Sequence, residues 1–206
     1  MNRKNKSIIR IPKSMVFVFG AEDGTLYDSE IREILMPDNF TLEVMGRFYD
    51  AKYVDTEEQL FGVTMDVIEH TLHHELGHAL IHVLDITITG KEEDAVDGMA
   101  TMLVILTNQT GSEIALSAAD LFDLEGEDIK EFTTEDIWDE HSLDFQRFYN
   151  TICMIYGSDS TQYQYLIKEL EITQDRAEMC IDDFQRQSKS WKKLLQPYLK
   201  DKTILN

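Results

Sequence analysis

The stretch Thr71–Leu84, TLHHELGHALIHVL, decides how the rest of the chain is read. At its centre His74-Glu75-Leu76-Gly77-His78 sets two histidines four residues apart. Such residues lie on one face of an α-helix, one turn from each other, so both imidazoles can converge on a single metal ion. Glu75 follows the first histidine directly. Its carboxylate then falls beside the coordination position the ligands leave open, where it can take a proton from water that the ion activates. Leu72, Leu76, Ala79, Leu80, Val83 and Leu84 surround these groups with apolar side chains, as in a buried helix rather than a solvated one. Gly77, between the ligands, leaves room for a neighbouring backbone to come close. His70 and His82 continue the same row and are expected to pack or cap, while His73 points off it. The competing explanation is a histidine-rich core helix or a degenerate site without metal, and the helical, apolar setting of the motif weighs against a chance match.

Working outward, Thr56-Glu57-Glu58-Gln59 is a capping-box pattern with Thr56 as N-cap, so one long helix is predicted from there to about Leu84. Ile86 to Thr89 reads as a short β-prone connector closed by Gly90. A second helix begins at Lys91, with Ala95, Met99, Met102, Leu103 and Leu106 on its inner face. Its acidic first turn, Glu92-Glu93-Asp94, suits the positive end of a helix dipole. The same turn can supply the third ligand that a two-histidine site needs. Glu93 and Asp97 share a face, so Glu93 is expected to reach the ion while Asp97 accepts a hydrogen bond from the far nitrogen of a ligand histidine. Asp94 and Asp97 remain open as alternatives for that ligand, and Glu92 is expected to face away, toward Val96.

The remaining segments complete a mostly α-helical α+β domain spanning residues 1–206, with a small N-terminal sheet. Ser14 to Phe19 and Ile31 to Met36 are predicted strands, read as antiparallel partners. Helices are expected at Asn39–Tyr53, Ser112–Leu121, Asp139–Tyr156 and Gln174–Leu199, their Met and aromatic positions forming the core. A chain of 206 residues with 43% hydrophobic content can bury such a core, and three prolines and ten glycines do not suggest disorder.

Nineteen basic residues against thirty-nine acidic ones give a formal charge of −20, which excludes nucleic acid and an anionic membrane surface as general partners. Glu113 to Asp144 holds twelve of the acids and reads as a solvated face that the basic segment Lys189 to Lys202 could pair with. No run approaches the roughly twenty apolar residues of a membrane span. The N-terminus is basic, but the apolar run Met15 to Phe19 behind Pro12 and Lys13 reads as a strand rather than a signal peptide, which favours a cytoplasmic location over a secreted one. Cys153 and Cys180 are compatible with a bridge between two helices or with two buried thiols. Nothing in the pattern specifies an oligomeric state.

HELGHAL, a short connector, and then Gly90-Lys91-Glu92-Glu93-Asp94-Ala95-Val96-Asp97 together resemble an uncharacterised family of proposed metallopeptidases that pairs an HELGHA helix with an EEDAxD segment. The stretch Trp138 to Tyr149, with Cys153 and Tyr156-Gly157, resembles it as well, so the likeness covers about Phe61 to Gly157. More broadly the pattern is similar to the gluzincins, zincin-like peptidases whose third ligand is a glutamate four residues before an aspartate. The resemblance implies Zn2+ held by His74, His78 and Glu93, Glu75 as general base, Asp97 behind a ligand histidine, and a peptide or protein substrate. The interval from His78 to Glu93 is shorter than in many gluzincins, so the two helices must turn tightly. A peptidase also needs a donor for the oxyanion. His141, the one histidine outside the motif helix, is the candidate, with Arg147 and Tyr149 as alternatives. The reading from another class is a non-catalytic binding or regulatory protein on the same scaffold.

Overall fold

The computed structural model describes residues 9–22, 24–203 and 205. The motif helix, α2, is its longest element, running Glu57–Leu84. It starts where the sequence predicts: the Gln59 amide donates to Thr56 Oγ1 at 3.2 Å, and Gln59 Oε1 accepts from the Thr56 amide at 3.2 Å. It stops at Asp85, which adopts the left-handed conformation (φ 53°, ψ 49°) and ends the helical ladder. The connector after it holds no strand. Residues 86–91 are too few to do more than turn the chain back.

Helix α3, Glu92–Thr107, then packs along α2. Val96, Met99 and Met102 of α3 are fully buried in one cluster with Leu80, Val83 and Leu84 of α2. The close approach at Gly77 is to side chains rather than to backbone: a Cβ there would sit 2.8 Å from Val96 Cβ and 2.9 Å from Met99 Cε. This crossing brings the first turn of α3 beside His74 and His78.

Around this pair stand α1 (Asp38–Asp50), α4 (Gly111–Asp128), α5 (Thr134–Trp138), α6 (Asp144–Ser158), α7 (Gln164–Glu169) and α8 (Gln174–Leu195), the last followed by a 3-10 turn at Gln196–Tyr198. Helix α4 outruns the predicted Ser112–Leu121 because Leu121, Phe122 and Leu124 continue its apolar face, while Glu127 and Asp128 at its end are exposed. The predicted helix from Asp139 starts instead at Asp144, since Thr133 caps the separate short α5 and a bend follows it. Pro197 lacks an amide hydrogen, and α8 gives way to the 3-10 turn there. Cys153 of α6 and Cys180 of α8 form a disulfide with their Cα atoms 4.8 Å apart. Arg47 of α1 bridges Glu125 and Asp128 within the acidic run, at 3.6 and 2.7 Å.

The sheet is three-stranded, not the antiparallel pair expected. β1 (Val16–Phe19) and β3 (Glu33–Met36) run parallel, and β2 (Leu26–Asp28) returns antiparallel on the other side of β3. The order β1-β3-β2 leaves β2 as an edge lying against α2. β2 is only three residues long, so its alternation is too brief to stand out in the sequence. Among the described residues no helix is long and apolar enough to cross a membrane.

Candidate metal centre

His74, Glu75 and His78 project from the middle of α2, and Glu93 meets them from the first turn of α3. One ligand atom from each of His74, His78 and Glu93 lies within 4.8 Å of the other two. The two Nε2 atoms are 3.2 Å apart, and the Glu93 carboxylate oxygens stand 3.2 Å from His74 Nε2 and 3.3 Å from His78 Nε2.

The far nitrogens explain why these atoms face each other. His74 Nδ1 lies 2.7 Å from Asp97 Oδ1, and His78 Nδ1 lies 2.8 Å from Glu92 Oε1. A carboxylate can only accept, so it holds the proton on Nδ1 and turns the Nε2 lone pair inward. Two lone pairs and a carboxylate then converge on one point, an arrangement that repels itself unless a proton or a metal cation lies between them. Glu93 Oε2 agrees with this: it is buried and makes no hydrogen bond, although His74 Nε2 and His141 Nε2 stand 3.2 and 3.0 Å away. The donor set fits a divalent ion of the zinc type.

The electrostatics point the same way. Burial pushes His74 down, but the carboxylates of Asp97 and Glu93 outweigh it and raise the ring to about 9. His78 rises too, burial again being overcome by Glu93 and Glu92. Burial works against ionisation of Glu93 and Asp97 as well. Even so, His141, His74 and His78 hold Glu93 well below the usual carboxylate range, and His74 and Arg147 do the same for Asp97. The centre of the cluster favours positive charge.

The family model described as "Putative metallopeptidase" matches residues 1–195, which take in every member of this cluster. The chain belongs to that family. Neither a curated protein nor a solved structure matches it.

In this metallopeptidase-family chain the cluster opens into a cavity of about 370 Å³ whose walls include Glu75, Glu140, His141 and, from the sheet, Leu26 and Tyr27. Burial raises the Glu75 carboxyl, against the pull of His74 and His78. His141 comes from the bend after α5. Lys91 Nζ donates to the carbonyls of Asp139 and His141 at 3.0 and 3.1 Å and pins that bend to the start of α3. Asp94, weighed as a ligand, accepts from Ser142 Oγ at 2.6 Å instead and belongs to the same anchorage.

The other candidates each have contacts of their own. Arg147 grips Asp97, with Nε 2.8 Å from Oδ2 and Nη2 3.0 Å from Oδ1, and Tyr149 packs edge-on against Phe148. His70 is a core residue 3.0 Å from Thr101 Oγ1, His82 meets the Tyr27 hydroxyl at 3.0 Å, and His73 bonds the Glu69 carbonyl. Glu92 was expected to face away and does not. It is the first residue of α3, where the crossing with α2 brings its side chain to His78.

Proposed function

We propose that this chain is a zinc-dependent, gluzincin-like metallopeptidase, one zincin-like domain over residues 1–206, that hydrolyses peptide bonds of a peptide or protein substrate. The convergence of His74, His78 and Glu93, each histidine backed by its own carboxylate, carries the reading. Three protein ligands leave a fourth position open, the mark of a catalytic rather than a structural zinc site. The same donors would also accept ferrous iron. A carboxylate beside the cluster favours hydrolysis, because it supplies a base.

When bound, zinc contributes Lewis acidity, polarising a carbonyl and lowering the pKa of water. Glu75 accepts the proton of the attacking water and passes it to the departing amine. Its raised pKa makes it a stronger base than an exposed glutamate. His141, with Nε2 turned toward the cluster, donates to the oxygen of the carbonyl under attack. Asp97 and Glu92 keep the ligand rings in the tautomer that presents Nε2. The edge strand β2 borders the cavity, so an extended peptide can hydrogen-bond along it.

Elemental analysis of the purified protein, together with hydrolysis of casein by wild type and Glu75→Gln, tests this. One zinc per chain is expected in both, with activity falling by at least about a hundredfold in Glu75→Gln. Zinc retained with no Glu75-dependent hydrolysis would replace this reading with a binding protein on the same scaffold. Iron in place of zinc, or no metal, would overturn it.

A further inference from the structure

We propose that Arg147 is a positioning residue for the metal centre: through Asp97 it fixes the ring of His74. The inference rests on the reading of His74 as a metal ligand. Arg147 stands fifty residues beyond Asp97 in the chain, on a different helix. Its guanidinium nevertheless holds both carboxylate oxygens, Nε to Oδ2 at 2.8 Å and Nη2 to Oδ1 at 3.0 Å.

Asp97 Oδ1 is the atom that also faces His74 Nδ1, at 2.7 Å. Held by His74 alone, the carboxylate could turn about its own bond and the imidazole would turn with it. A two-point grip removes that rotation, because the planar fork of arginine matches the plane of a carboxylate. The far side of the guanidinium is fixed too, lying 4.0 Å over the Phe122 ring of α4. Helices α4 and α6 thereby set the aim of a ligand on α2.

Two of the five donors of Arg147 are spent on Asp97, and its side chain is only 15% exposed, which suits it to hold that carboxylate in place. A purely structural role is the other possibility, since a buried ion pair of this kind also ties helices together. Metal affinity separates the two.

Zinc affinity is measured by competition with a fluorescent chelator for wild type, Arg147→Met, Arg147→Lys, Asp97→Asn and the double variant Asp97→Asn/Arg147→Met. Arg147→Met is expected to bind zinc about tenfold more weakly. Arg147→Lys keeps the charge but not the fork, and is also expected to lose affinity. In the Asp97→Asn background, Arg147→Met should change affinity by less than about twofold. Wild-type affinity in both Arg147 single variants, or losses that multiply in the double variant, would overturn the proposal. Should Arg147→Met fail to fold, as judged by circular dichroism, Arg147→Lys decides alone. Zinc binding without hydrolysis in wild type would remove the peptidase reading and leave this one standing on its affinities, whereas no zinc binding in wild type would remove both.

Discussion

Gly77→Ala puts the contact between α2 and α3 to a direct test. An added methyl would meet Val96 Cβ and Cγ1 at 2.8 Å and Met99 Cε at 2.9 Å, where carbon atoms normally rest about 3.5–4.0 Å apart. Met99 is a flexible chain with a movable end. Val96 Cβ is fixed to the backbone of α3, and both residues are fully buried, so relief requires the two helices to part. Alanine is intrinsically better than glycine in a helix by about 0.5–1 kcal/mol, while overpacking a tight core costs about 1–3 kcal/mol. At the middle of both ranges the clash wins, and we expect a net loss of about 1 kcal/mol. Because Gly77 lies between His74 and His78, the same separation moves both rings from Glu93. Urea unfolding, with and without zinc, reads both effects: a lower midpoint at unchanged slope, and a smaller gain on adding zinc. Gly62→Ala is the control, in the same helix with nothing within 4 Å of the new methyl, and should stabilise by about 0.5–1 kcal/mol. A Gly77→Ala protein at least as stable as wild type, with the full gain from zinc, would refute the reasoning.

Burial pushes His70 down to about 3, against about 6.5 in an unfolded chain, so the unfolded state binds the extra proton and stability should fall as pH drops from about 6.5 toward 3. His70→Gln does not titrate and should flatten that decline in urea midpoints between pH 7 and pH 5, whereas an unchanged slope would count against it. Tyr53→Phe removes the hydroxyl that donates to the largely buried Asp120 and should cost about 1–3 kcal/mol at pH 7. Burial already raises the Asp120 carboxyl, so the folded state takes up that proton readily and the penalty should shrink as pH is lowered, which thermal melts across pH 4–7 would show or deny. Asp85→Gly relieves the left-handed backbone at φ 53°. It should raise the melting temperature by about 2 °C, and a lower melting temperature would mean the aspartate side chain matters there.

What could be read from the sequence was local. The capping box at Thr56, the one-turn spacing of His74 and His78 and the four-residue step from Glu93 to Asp97 are all properties of single helices, and each is found where its spacing puts it. What escaped depends on how elements meet. β2 is too short to announce itself, and its return beside β3 is what makes β1 and β3 parallel. Glu92 reaches His78 only because α3 crosses α2 at Gly77. The partnership of Arg147 with Asp97 joins two helices far apart in the chain, and no periodicity records it. The two cysteines allowed either a bridge or free thiols, and the packing of α6 on α8 settles that they meet.

The two histidines of the proposed metal site are held unequally, and that has a kinetic meaning. The side chains of His74 and its partner Asp97 are only 9% and 14% exposed, whereas Glu92, the partner of His78, is 47% exposed. Water reaches Glu92 more readily than Asp97. An ion bound here as proposed would therefore be released in a preferred order, from His78 first and from His74 last. A chelator would then strip the metal at a rate set at the exposed end of the site, while the buried end would set how strongly it is retained.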